Sequence, residues 1–174
     1  MAIRIFVYSL LIISIVSLFM TINNDVNKTQ KKDLALITFK NSTMFTINDE
    51  KVTRVVQSSQ AVKYKTREYL YNGTFISRAK STANEGLTDI VSADIIEKKD
   101  DKVTFRKNVK YNRNNFITFN TDILYYDLDK KIAYNDKPFT GKYYDNFLNG
   151  NSIFIDSQNS HFKSKKPHFE LNIK

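Results

Sequence analysis

The chain has 174 residues, 41% hydrophobic and 13% aromatic, with 27 Lys and Arg against 18 Asp and Glu for a net charge of +9. That is enough chain for one domain with a real core. With no Cys, no Trp, 4 Gly, 2 Pro and 2 His, a disulfide scaffold, a Cys-based zinc site and a thiol nucleophile are excluded, and His-rich metal centres and Ser-His-Asp chemistry are disfavoured.

Residues 1–4 read as a cytoplasmic tail. Residues 5–22, IFVYSLLIISIVSLFMTI, form a run without formal charge preceded by Arg4. About 18 helical residues rise ~27 Å, which matches a bilayer core. The run is longer than the about 7–15 apolar residues of a secretory signal peptide, and Ser17-Leu18-Phe19 and its neighbours make a poor small-x-small cleavage site, so an uncleaved signal-anchor helix is expected. Arg4 favours a cytoplasmic N-terminus, with the rest of the chain across the membrane. Ser14, Ser17 and Thr21 are small enough to let this helix pack closely on others. Residues 23–33 are polar and read as a juxtamembrane linker to a single domain over 34–174.

Beyond the linker the apolar period changes to two, the signature of half-buried antiparallel strands. It runs through 34–39, 44–47, 52–56, 61–64, 69–79 and 90–96. In 102–111, Val103, Phe105, Val109 and Tyr111 share a face with Lys107. In 116–126, Ile117, Phe119, Ile123 and Tyr125 share one face, and Thr118, Asn120 and Asp122 the other. Further segments follow at 152–155 and 168–173. Asn, Asp and Gly clusters at 48–51, 84–86, 100–101, 112–115, 127–131 and 156–160 separate the runs, as turns do. Consecutive strands and short turns predict an all-β antiparallel meander closed into a barrel, a sandwich or an open jellyroll.

Little in the chain suggests reaction chemistry. Gly73, Gly86, Gly141 and Gly150 lie too far apart for a phosphate-cradling loop, so nucleotide hydrolysis is not expected. His161 and His168 lack carboxylates at metal-ligand spacing. Asp122, Asp127 and Asp129 fit strand and turn positions better than an acid/base pair. Aromatic residues interleaved with Lys would suit a nucleic-acid groove, but a domain exported behind a membrane anchor does not meet nucleic acid. Lys163, Lys165 and Lys166 form the one tight basic group, and the positive balance suits an anionic ligand.

The stretches FNTDILYYD at 119–127, KKIAYNDKPF at 130–139 and LNGNSIFID at 148–156 resemble the LptC family in their strand–turn–strand register. Members of that family are single-pass inner-membrane proteins of Gram-negative bacteria with a periplasmic β-jellyroll, and they act in lipopolysaccharide transport. The resemblance implies an open jellyroll of two facing sheets with an apolar groove, no enzyme activity and no cofactor. It implies lipopolysaccharide as ligand, taken from an inner-membrane ABC transporter and passed to a soluble periplasmic jellyroll bridge protein in outer-membrane biogenesis. The groove is then expected to be lined by Val103, Phe105, Val109, Ile117, Phe119, Ile123, Tyr125, Phe139 and Phe154. Partner edges are expected at Leu34, Leu36 and Phe39 and at His168, Phe169, Leu171 and Ile173, where unpaired strands could be completed by another sheet. Gly150 matches a family glycine and is expected to be structural. The alternative is a membrane-anchored envelope scaffold that binds proteins and no lipid, for which a dry, fully packed core would speak.

Overall fold

The computed structural model describes residues 34–48, 51–78, 87–156, 159 and 161–170, together with Tyr8, Ile12 and Ser14. The chain divides into two units, Met1–Leu34 and Ala35–Lys174. The expected membrane span lies outside the described residues apart from Tyr8, Ile12 and Ser14, which are helical and exposed. Among the described residues no helix is long and apolar enough to cross a membrane.

The second unit is all β and antiparallel, as the alternation predicts. Its strands are β1 (Ile37–Asn48), β2 (Lys51–Lys63), β3 (Glu68–Arg78), β4 (Thr88–Lys99), β5 (Lys102–Arg113), β6 (Ile117–Asp127), β7 (Ile132–Asn135), β8 (Phe139–Tyr143), β9 (Asn146–Gly150), β10 (Ser152–Asp156), β11 (His161–Lys165) and β12 (His168–Glu170). All belong to one sheet ordered β1-β2-β3-β4-β5-β6-β7-β10-β11, with β8 also on β6, and β9 between β8 and β12. The sequence expectation missed β7, β8, β9 and β11, which are short and rich in Asn, Lys and Tyr. It also split β1 and β2 in two, because each loses its alternation halfway along.

That interruption recurs at one level across the sheet. Pairing jumps from Ser92↔Lys110 to Ile95↔Arg106 and from Arg106↔Ile123 to Val109↔Thr121. Asn41, Asn72, Lys107 and Asn108 take left-handed φ values of 50°, 47°, 63° and 50° at this row. Asn enters that region more readily than most residues, because its short side chain bonds locally. Here Asn72 Nδ2 donates to Ser59 Oγ at 3.2 Å, and Asn108 Nδ2 to Asp94 Oδ2 at 2.7 Å. The inward residues shift parity across the row in three strands, Leu70 then Gly73 in β3, Ile96 then Ala93 in β4 and Leu124 then Thr121 in β6, while β5 keeps its parity from Phe105 to Val109 by turning Arg106, Lys107 and Asn108 all outward. The C-terminal strands break at the same level, at Pro138 between β7 and β8, at Asn151 between β9 and β10, and at Lys166-Pro167 between β11 and β12.

Bulges bend the strand that carries them, and a row of them bends the sheet. Phe75 stands opposite Val91, which stands opposite Tyr111. Phe105 lies about six residues further along β5, or some 20 Å on a straight strand. Yet the Phe75 and Phe105 rings meet edge-on at 5.8 Å, and Phe75 meets Tyr126 at 5.9 Å. The strands therefore fold over at the row, and the sheet becomes two facing leaves. The first holds residues 37–40, 60–63, 68–71, 95–99, 102–106 and 123–127 with β7, β10 and β11. The second holds 42–48, 51–58, 73–78, 88–93, 109–113 and 117–121 with β8, β9 and β12.

The core fills the space between the leaves, with Phe105, Phe119, Phe139, Ile96, Leu124, Ile153 and Val109 fully buried. Gly141 and Gly150 are glycine for lack of room. A Cβ at Gly141 would overlap the Thr118 carbonyl oxygen and Phe119, and one at Gly150 would press on Ser164 Oγ and Phe139.

Candidate functional site

The expected groove face splits in two. Val103, Phe105, Val109, Phe119 and Phe139 are sealed in the core, and Ile117 lies at its edge. Ile123, Tyr125 and Phe154 are only half-buried and stand on the outer face of the first leaf. The expectation that Ile123 and Tyr125 share a face with Phe119 is corrected. At the corner Asp122 and Ile123 both point outward, so Leu124 and Tyr126 take the inward positions beyond it. The outward Tyr125 stacks on Tyr134 with ring centres 5.2 Å apart, and Tyr134 pairs with Phe154.

The leaves stop sealing at the C-terminal end of the sheet. A cavity of about 870 Å³ opens there, lined by Arg113, Phe116, Ile117, Tyr143, Leu148, Ile155, His161, Phe162, Lys163, Ser164, Pro167 and Phe169. Alternation explains the lining. Phe162 and Ser164 of β11 pair with the inward Ile155 and Ile153 of β10, and Phe169 of β12 pairs with the inward Leu148 of β9. Of the residues expected in a groove only Ile117 lies here, and Phe169, expected at a partner edge, turns its ring to the cavity. Leu148, Ile155 and Phe162 were not anticipated, because they alternate over too few residues for a period to register.

A buried polar group closes the inner end of this cavity. Asp89 accepts hydrogen bonds from Arg113 Nε at 2.6 Å, Arg113 Nη2 at 2.8 Å and Tyr111 Oη at 2.6 Å. The Arg113 and Asp89 side chains are 3% and 9% exposed. Burial alone would disfavour the Arg113 charge, but the Asp89 hydrogen bonds outweigh it and raise the guanidinium pKa above its ordinary value. Burial, seconded by the Asp89 charge, pushes the Tyr111 hydroxyl well above its ordinary value. The same two causes push Tyr126 up to about 12. A buried pair of this kind is neutral overall, so it walls the cavity without attracting an anion. His161, Lys163 and Lys166 are exposed beside the opening.

The ends of the sheet are unpaired strand edges among the described residues. β1 bonds only to β2, and both its faces are exposed. Leu34, Leu36 and Phe39 are 76%, 62% and 55% exposed, and Leu36 N–H donates to the Lys63 carbonyl at 2.8 Å. At the other end β11 bonds only to β10 and β12 only to β9. His168 is exposed and 2.9 Å from Glu170, while Leu171 and Ile173 lie outside the described residues. No group of His, Cys, Asp or Glu able to hold a metal occurs among the described residues.

No family model and no curated protein matches the chain. Among solved structures, the chain is similar to LptH, the LptA-homologous periplasmic component of the lipopolysaccharide transport device of Pseudomonas aeruginosa. The identity is 14%, over 79% of this chain and 94% of that one, with a TM-score of 0.30.

Proposed function

We propose that the chain is a non-enzymatic component of lipopolysaccharide transport that holds the lipid's acyl chains in the cavity at the C-terminal end of its folded sheet. One observation carries the reading: the apolar space between the leaves is sealed along most of its length and open where Phe116, Leu148, Ile155, Phe162 and Phe169 line it. Each methylene buried there contributes about 0.8 kcal/mol, so a few carbons of an acyl chain give useful but reversible binding. His161, Lys163 and Lys166 beside the opening suit phosphate on a headgroup that stays in water. No catalytic residue is needed, because the chain offers only a binding surface and the energy comes from elsewhere.

In this reading the chain is anchored in the inner membrane by residues 5–22, with its sheet in the periplasm. The β1 edge meets the periplasmic part of an ABC transporter, and the β11–β12 edge meets the soluble bridge protein, each by strand addition. The sealed middle of the core favours a second reading, an anchored envelope scaffold that binds proteins through these edges and no lipid.

Photoreactive substitution separates the two. A crosslinker at Leu148 should label lipopolysaccharide, and one at Thr140, on the outer face of the neighbouring strand, should not. Absence of label at Leu148, with both edges still binding protein partners, would leave the scaffold reading standing alone.

A further inference from the structure

We propose that the outer rim of the second leaf is a seat for the headgroup region of a lipid bilayer, so that the cavity opens beside lipid. The proposal rests on the lipid reading of the cavity and names the surface from which that lipid comes.

The rim is built from the β5–β6 and β8–β9 turns. Tyr143 and Tyr144 are 41% and 62% exposed, and their rings meet edge-on at 4.9 Å. Phe116 joins them, 6.5 Å from the Tyr143 ring and 5.9 Å from the Tyr144 ring. Tyr144 N–H donates to the Phe116 carbonyl at 2.7 Å, which straps one turn to the other. Phe116 and Tyr143 also line the cavity, so the rim and the cavity wall are one surface. Phe45, Ile47, Val52 and Phe147 are exposed on the same leaf.

Charge separates this rim from the opposite one. The turns at the end of the first leaf carry Asp100, Asp101, Asp129, Lys130 and Lys131, whereas the two turns that make this rim, which do not include the charged β1–β2 and β3–β4 connections of the second leaf, are Asn114, Asn115, Phe116, Tyr144 and Asp145. Asp145 is the one formal charge among these. The Asn side chains have partners within the fold: Asn112 Nδ2 donates to Asn115 Oδ1 at 2.8 Å, Asn115 N–H to Asn112 Oδ1 at 2.9 Å, and Thr88 N–H to Asn114 Oδ1 at 2.8 Å. A rim with few charges to strip of water and with exposed Tyr suits the membrane–water interface, where an aromatic body and a polar hydroxyl both find their medium.

Backbone conformation adds an independent observation. Tyr144 has a φ of 52°, the left-handed region that a bulky residue enters at a cost. Asn or Gly would serve a two-residue hairpin turn better. Strain kept at an exposed aromatic points to a use for the ring outside the fold.

The chain has no Trp, so Tyr144→Trp gives a single reporter. The full chain is reconstituted in phosphatidylcholine–phosphatidylglycerol vesicles whose acyl chains are brominated near the headgroup. The emission of Tyr144→Trp should shift to the blue and be quenched, and that of Tyr134→Trp, on the first leaf, should do neither. Equal behaviour of the two reporters, or a response of Tyr144→Trp only when a protein partner is added, would overturn the proposal. Tyr144→Asn, read from a Tyr143→Trp reporter, should lose the quenching while the thermal midpoint rises. A midpoint that falls would make Tyr144 a packing residue and also overturn it. Photolabelling from Leu148 in detergent solution tests the cavity with no bilayer present. A labelled cavity with an unquenched rim then refutes the seat alone, and a quenched rim with an unlabelled cavity refutes the lipid reading of the cavity.

Discussion

Asp89→Ala would remove the acceptor of three short hydrogen bonds and leave Arg113, 3% exposed, as a buried charge without its partner. Charge-assisted hydrogen bonds contribute about 1.5–3 kcal/mol each. Cavity water reaching Arg113 would recover part of that, so the expected loss is about 3–5 kcal/mol, the usual cost of breaking a buried pair. Replacing all three members, Asp89→Leu with Arg113→Met and Tyr111→Phe, should be neutral or stabilising by up to about 4 kcal/mol, because two desolvated ions are removed together and no buried hydroxyl is left without its acceptor. The assay is urea unfolding of the full chain, read from midpoints at unchanged slope. A single-variant loss below about 1 kcal/mol would refute the reasoning, since Asp89 would then be no more than a solvated surface carboxylate. A triple variant as damaged as the single one would show that Arg113 has a structural role beyond pairing with Asp89.

Tyr126 sets a limit on alkaline stability. Its hydroxyl is held up to about 12 by burial, so the native state keeps a proton that the unfolded chain releases near pH 10. That contribution is complete below pH 10 and lost as pH rises towards 12, ~3 kcal/mol in all. Tyr126→Phe should remove the pH dependence that Tyr126 contributes, and identical wild-type and variant slopes across that window would contradict the assignment. Gly141→Ala should cost about 3 kcal/mol or more, because its Cβ meets the Thr118 carbonyl oxygen and Phe119, which cannot move aside. Thr140→Ala, exposed on the next position, should stay within about 0.5 kcal/mol by thermal unfolding.

The long strands were legible in the sequence because each alternates over enough residues for a period of two to register. Lys102–Arg113 and Ile117–Asp127 are the clearest cases. The corner was not, although its residues were in view. Straight alternation through Lys107 keeps the right face, since Phe105 and Val109 are four residues apart, but straight alternation through Asp122-Ile123 assigns Ile123 and Tyr125 to the face of Phe119. A bulge adds one residue to one strand and reverses the face of everything beyond it. Asn41, Asn72 and Asn108 were the available signal, since Asn within an apolar alternation is the residue best suited to a left-handed step. They passed unread in a chain where Asn is common everywhere.

The same corner explains why the candidate site escaped prediction. Long strands fill the middle of the fold with large side chains from both leaves, so the strongest apolar periods mark the sealed core and not the opening. The cavity forms where the strands are shortest and pairing runs out, at Leu148, Ile155, Phe162 and Phe169. Each of these lies on a strand of five residues or fewer. In a sheet folded on itself, inward residues are covered where a facing strand exists and left open where it ends. A ligand site built this way is encoded by the position of the last strands across the fold, which no local pattern in the sequence carries.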